Sequence, residues 1–385
     1  MNNEIKTLLT GFQVVFLQMD PSAFCIMYKG CVKTTLLEYA TVHGVRPLLY
    51  LALVEAGIDD DVTKRLKIIS FQMAVREKIL QQESIRLLTL LNENGVEALP
   101  YKGFYFTQIL NSGLAYRESS DIDIVIRDLD KAMNGIEILK SQGYRILGEV
   151  QGLDFIDLTW GRQITLEKGN VNGLTIHVDF HWGVNEKYHE YKISTEDFFE
   201  DTCWLQNKYV NIRVPGDKAL FKMLINHHGA RGCWLKLKEL FDWTLFLRKT
   251  NLSLEECRQI SKSMKMEKIM SVGEKLASHT LLQKCDNSSS KVEIQIINYW
   301  SDVFEIFSNK FIRFLKFTQI YIHLQDKDAS KIRLAWNYIR FKGSYFPQYN
   351  YYYRPFKGRL LLLNFIFKYV SIFYQFIIGK FSFKQ

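Results

Sequence analysis

Between residues 96 and 182 the hydrophobic period of this chain falls from the three-to-four of a helix to the two of a strand, and that island constrains the fold most. Upstream of it, "IKTLLTGFQVVFLQ" and "DVTKRLKIISFQMAVREKILQQESIRLLTLLNENG" repeat apolar residues at helical spacing, and Gly95 closes the longer run as a C-cap glycine does. Residues 1–95 are therefore expected to be helical. Inside the island, "VEALPY" reads as a short apolar strand, "KGFYFTQILNSG" as a turn and brief helix ending at Gly113, and "DIDIVI" as a strictly alternating strand. A helix capped by Asp128 should follow, then the strand-like stretches "YRILGEV", "QITLEK" and "GLTIHVDFHW". From "VPGDKALFKMLINHHG" onward helical spacing returns, with Pro215 expected in a first turn. The pattern predicts an α+β fold, a small mixed β-sheet core inserted in a mostly helical protein. Its expected divisions are a helical region 1–95, the core 96–214, a helical region 215–348, and a linker with an amphipathic C-terminal helix at 349–385.

Acids inside a core-bound strand need a reason. Residues two apart share a strand face, so Asp121 and Asp123 point one way while Ile122, Ile124 and Ile126 point the other. "TIHVDFHW" repeats the device, with Thr175, His177, Asp179 and His181 on one face and Ile176, Val178, Phe180 and Trp182 on the other. If the two strands are neighbours, three carboxylates converge, and hard oxygen donors of that number suit a pair of divalent cations such as Mg²⁺ or Mn²⁺. Lys102 and Gly103, at a strand end opening a short helix, supply a cation and backbone donors for phosphate. Plainer readings stand beside these. The acids could line a solvated strand face, and Arg117 could pair with Glu118 or another nearby acid. His177 and His181 could ligate a transition metal, but imidazoles beside a carboxylate more often orient it or contact substrate.

The order KG, short helix, "YRESSDIDIVI", then the single acid of "IHVDFHW" resembles the DNA polymerase β-like nucleotidyltransferase superfamily. Within it, the chain is most similar to a bacterial nucleotidyltransferase family marked by a KG, an R…DIDLLV and an E/D-hydrophobic-HW segment. The resemblance implies a small mixed sheet flanked by helices, with Asp121 and Asp123 as a metal-binding pair and Asp179 as the third carboxylate. It also implies a phosphate turn at Lys102 and Gly103 and a phosphate or substrate contact at Arg117. "NHHGARGCWLKLKELFDWTLFL" is similar to the family's helical His and L.W..D segment around His227, His228, Trp234 and Asp242, and His177, His181 and Asp242 become candidate substrate contacts. One departure is Lys102-Gly103-Phe104, where the superfamily carries Gly-Gly or Gly-Ser. The implied reaction is Mg²⁺-dependent transfer of a nucleoside monophosphate from an NTP to a hydroxyl or phosphate, releasing pyrophosphate, with Asp179 holding the catalytic metal and helping to deprotonate the acceptor. The alternatives are a non-catalytic interaction module on a degenerate copy of the fold and an NTP-dependent phosphotransferase. The acceptor itself is not spelled by any segment.

Charge bears on partners. Residues 310–385 carry fourteen Lys and Arg against Asp326 and Asp328, a local excess of +12 within a net +9, which leaves −3 on residues 1–309. A basic tail on a near-neutral body disfavours nucleic acid at the site and points the tail toward a membrane surface or another anionic partner. The last helix, "RLLLLNFIFKYVSIFYQFIIGKF", places Asn364, Lys368, Ser371 and Gln375 in one stripe. A central lysine is costly in lipid, so packing on the body or on a partner protein is expected ahead of peripheral membrane contact, and a span last. Six cysteines without a CxxC pair and an N-terminus without a cleavable apolar leader lead us to expect free thiols in a reducing cytoplasm.

Overall fold

In the computed structural model the described residues are 1–111, 116–147, 162–185, 189–207, 210–282, 290–308 and 310–326, with short stretches at 333–334, 336–337, 345–346, 351–352, 363, 366 and 370. The N-terminal region is helical, as its spacing predicts: α1 (Asn3–Leu17), α2 (Ser22–Lys29), α3 (Lys33–Val42), α4 (Arg46–Glu55) and the long α5 (Asp61–Glu93). Local chemistry sets these limits. Asn2 accepts from the Ile5 amide at 3.0 Å and Asp60 from that of Thr63 at 2.9 Å, each satisfying an orphan donor of a first turn. At the other end of α5, Gly95 adopts φ 75° just past the C-cap Asn94.

The alternating island folds into β1 (Ala98–Pro100), α6 (Phe104–Asn111), β2 (Ile122–Ile126), α7 (Leu129–Ser141), β3 (Arg145–Ile146), β4 (Gln163–Val171) and β5 (Leu174–His181). Asp128 caps α7, accepting from the Lys131 amide at 2.8 Å. The five strands form one mixed sheet in the order β1-β2-β5-β4-β3, in which only β2 and β5 run parallel. Ile176, Val178 and Phe180 are wholly buried, as alternation requires, and α5 and α7 pack on the strands. The α+β fold expected from the sequence is the fold observed.

Beyond the sheet come α8 (Glu196–Phe199), the hairpin β6 (Thr202–Asn207) and β7 (Val210–Pro215), and α9 (Asp217–Leu224). Pro215 thus ends a strand and does not open a helix: the first free amides of α9, those of Lys218 and Ala219, are taken at 2.7 and 3.1 Å by Asp201, a cap reached from across the hairpin. A π-helical segment, Ile225–Arg231, continues from α9 and leads to α10 (Leu237–Lys249), α11 (Leu254–Ser263), α12 (Glu267–Thr280), α13 (Lys291–Ser301), α14 (Val303–Ser308) and α15 (Lys310–Leu324). Tyr345–Phe346 and Tyr351–Tyr352 pair as a short ladder, β8 and β9. One apolar cluster runs from Ile5 to Leu324, so the helical flanks and the sheet share a core.

Five described cysteines are free thiols, and Cys285 lies outside the described residues. Of the expected C-terminal helix only Leu363, Ile366 and Val370 are described, each helical and exposed. Among the described residues no helix is long and apolar enough to cross a membrane.

Candidate active site

The segment that delivers the acids is pinned from outside, nearly residue by residue. Tyr116 and Arg117 bond Asp242 on α10, Glu118 accepts two bonds from Arg46 at 2.6 and 2.8 Å, and the Glu118 amide donates to the Gly44 carbonyl at 3.0 Å. Arg76 on α5 donates to the Ser120 carbonyl at 2.9 Å. Three helical elements thus hold "YRESSD" before β2 begins, which fixes where Asp121 and Asp123 emerge.

In the parallel pairing of β2 and β5, Asp123 stands opposite Asp179. One ligand atom each from Asp123, Asp179 and His181 lies within 4.8 Å of the others, a grouping that can hold a metal ion. Asp123 is 4% exposed, and its Oδ1 accepts from Lys102 Nζ at 2.8 Å and from His181 Nε2 at 3.0 Å. Burial opposes ionisation of Asp123, but the Lys102 ammonium and His181 override it and hold the carboxyl well below its ordinary value. An ionised Asp123 can only accept, so His181 carries its proton on Nε2 and orients the carboxylate. Asp179 Oδ1 accepts from Thr165 Oγ1 at 2.6 Å, on the neighbouring β4.

Asp121 stands just before β2 and is not part of the 4.8 Å group. It still senses that group: burial, then the negative charges of Asp123 and Asp179, push its carboxyl upward against the pull of Lys102. Three carboxylates therefore share one field. His177 lies across from Glu167 in the ladder and outside the tight group, so of the two histidines flanking Asp179 only His181 joins it.

Lys102 and Gly103 turn the chain from β1 into α6. Gly103 has φ 63°, a left-handed conformation that costs an ordinary L-residue about 1–2 kcal/mol, and a Cβ there would stand 3.5 Å from the Asp121 carbonyl. The turn and the acid-bearing segment are in contact. Lys102 is half-buried, and its partial burial disfavours the charge, yet Asp123 and Asp121 outweigh that and keep its ammonium charged.

Asp242 and Arg117, expected as substrate contacts, are both buried and bonded to each other. Asp242 is fully buried; Oδ2 accepts from Arg117 Nη1 at 3.0 Å and from His228 Nε2 at 2.9 Å, and Oδ1 accepts from the Tyr116 hydroxyl. Arg117 therefore finds its acid on a distant helix and not in Glu118. His227 Nδ1 and His228 Nδ1 are 2.9 Å apart, adjacent in the π-helical segment. Gly229 lets that segment pack closely on its neighbours: a Cβ on it would come within 2.3 Å of Ile269 and 2.9 Å of Trp234. Trp234 is anchored in turn by its indole N–H on the Ile269 carbonyl at 3.1 Å.

Sequence reasoning passed over Lys238. It stands at the start of α10 with its stem against Gly44, and burial, then Arg117 and Lys236, bring its ammonium down to about 8. The available signal was the second lysine of "WLKLKEL", between Leu237 and Glu239, which helical spacing alone reads as a solvated face.

A family model described as "Uncharacterised nucleotidyltransferase" matches residues 33–281. No curated protein and no solved structure matches the chain.

Proposed function

The chain belongs to the uncharacterised nucleotidyltransferase family, and from that premise we propose that it is a divalent-cation-dependent enzyme that moves a nucleoside monophosphate from an NTP to a hydroxyl or phosphate acceptor, releasing pyrophosphate. The observation that carries this reading is the register of Asp123 against Asp179 with Lys102 bonded to Asp123. Carboxylate oxygens brought together beside a lysine and a left-handed glycine fit a metal and a triphosphate far better than they fit a core.

Asp121, Asp123 and Asp179 would hold the metal, as Mg²⁺ or Mn²⁺. When bound, it supplies Lewis acidity toward the phosphates and lowers the pKa of the acceptor hydroxyl. His181 keeps the Asp123 carboxylate oriented, and Thr165 does the same for Asp179. Lys102 and the amide of Gly103 would bind the triphosphate, placing positive charge where negative charge grows on the departing pyrophosphate.

The test is incubation of the purified full chain with each of four NTPs and Mg²⁺, with pyrophosphate release and product mass measured together. Pyrophosphate with a nucleoside-monophosphate adduct is expected, whereas a nucleoside diphosphate would mark phosphoryl transfer instead. Turnover that is unchanged in an Asp121→Ala, Asp123→Ala double variant would refute the proposal.

A further inference from the structure

The acceptor hydroxyl must lose a proton; the family resemblance gives Asp179 a share in removing it, but Asp179 would also hold the metal and one of its oxygens already accepts from Thr165 at 2.6 Å, which leaves room for a separate base. The pair of adjacent histidines in the π-helical segment, His227 and His228, has no place so far in the chemistry, and its hydrogen bonds fix its protons.

Asp242 is the starting point. Burial opposes its ionisation, but Arg117, His228 and Tyr116 overcome it, so Asp242 is a carboxylate that only accepts. His228 is neutral, because burial, together with the charges of Arg117 and Lys238, outweighs the pull of Asp242. The proton shared with Asp242 must then sit on His228 Nε2, at 2.9 Å. A neutral His228 with its proton there has a bare Nδ1, so the 2.9 Å contact with His227 Nδ1 requires His227 to donate. A neutral His227 with its proton on Nδ1 has its lone pair on Nε2. These tautomers are assigned from the network and form one consistent set. Nε2 of His227 makes no hydrogen bond among the described residues, and it is absent from the buried polar atoms sealed away without a partner.

Its position suits a site role. The rings of His181 and His227 both pack against Tyr101, with centroids at 5.2 and 6.3 Å, and Tyr101 immediately precedes Lys102. Resting on the nucleotidyltransferase reading, we infer that His227 Nε2 is the general base for a hydroxyl-bearing acceptor, with His228 and Asp242 as positioning residues behind it. In the step, the acceptor oxygen bonds to the α-phosphorus while the bond from phosphorus to the β-bridging oxygen breaks and its electron pair leaves on pyrophosphate. The hydroxyl proton moves to Nε2, and from there to water. The resulting imidazolium keeps its Nδ1–H on His228, through which Asp242 opposes the new charge.

Charge around the ring agrees with this role. Burial, then Lys102, His228, Arg231 and Lys238, hold His227 well below the ordinary imidazole range, so the lone pair is free at neutral pH. Lys102, the first of these charges, would face the triphosphate, whose negative charge offsets it and restores basicity when substrate is bound.

Two measurements on the full chain test the inference. Long-range ¹H–¹⁵N spectra of ¹⁵N-histidine-labelled protein near neutral pH, with signals assigned by His227→Asn and His228→Asn, should show His227 protonated on Nδ1 and His228 on Nε2. A proton on His227 Nε2 overturns the base assignment and leaves the nucleotidyltransferase reading standing. Pyrophosphate release from each NTP, with water and with glycerol as acceptors, gives the second readout. His227→Asn keeps a side-chain donor near Nδ1 but removes Nε2, and it should slow release by about 10²–10⁴-fold with little change in KM for NTP. A wild-type rate in that variant overturns the inference. If the unsubstituted chain releases no pyrophosphate from any NTP, the proposed function falls and the base assignment falls with it, whatever the tautomers.

Discussion

Asp242→Ala should be among the most destabilising single changes available in this protein. The carboxylate is fully buried and receives Arg117 at 3.0 Å, His228 at 2.9 Å and the Tyr116 hydroxyl. Arg117 is itself 6% exposed and its Nε has no partner among the described residues, so truncating Asp242 strands a buried guanidinium. Glu77 and Asp121 lend Arg117 favourable field, but neither is hydrogen-bonded to it. Removing one partner of a buried pair costs about 3–5 kcal/mol, because the charge left behind keeps its desolvation penalty. Against a typical total of about 5–15 kcal/mol, that is from about a fifth of the stability to all of it. Urea unfolding followed by tryptophan fluorescence suits the measurement, since Trp243 lies next to the substituted position. The control is a cycle with Arg117→Met and Asp242→Leu: the double variant should recover about 1–3 kcal/mol relative to the sum of the singles. A loss below about 1 kcal/mol for Asp242→Ala, or a coupling of zero, would refute the claim that this carboxylate holds the Arg117 charge in the core.

Gly103→Ala forces a Cβ onto a φ of 63° and should cost about 1–2 kcal/mol in thermal unfolding while weakening NTP binding, and Gly103→Asn should cost less because Asn tolerates that region better. The carboxyl of Asp123 is depressed in the folded state, where burial is overcome by Lys102 and His181, so its stabilisation is present above the unfolded carboxylate value of about 4 and is lost as pH falls through and below it. Asp123→Asn should therefore flatten the acid limb of the stability profile in urea titrations between about pH 4 and 2. Mn²⁺ binding followed by electron paramagnetic resonance should vanish in an Asp123→Asn, Asp179→Asn double variant and persist in His177→Ala, which lies outside the tight group.

The strand-borne half of the site was legible because period-two alternation is a local code. Asp123 and Asp179 had to share a face with any neighbour of their own kind, and the register delivered them opposite each other. Lys102-Gly103 was legible for a similar reason, as a cation and a turn glycine at a strand end. The buried network was not. Arg117 and Asp242 are 125 positions apart, and His228 reads as one more polar residue in a helix until Asp242 is placed beside it. Side-chain pairings across such separations leave no periodic trace in a sequence. The β6–β7 hairpin escaped notice because "TCWLQNKYVNIRVP" alternates weakly: Trp204, an apolar residue within β6, is 58% exposed. Pro215 then looked like a helix start because a proline and an aspartate two residues apart resemble an N-terminus, whereas the capping oxygen comes from Asp201.

The π-helical winding of Ile225–Arg231 gives the site an unusual sensitivity to chain length. In an α-helix successive residues are about 100° apart around the axis, and π winding brings them somewhat closer together. A π turn accommodates one residue more than an α turn would. Deleting a single residue of the segment outside the histidine pair would let it relax to α-helical winding and change where His227 and His228 point relative to Tyr101 and Asp242. Where the two imidazoles point is thus a matter of counting: it depends on how many residues lie in one turn as much as on which residues they are.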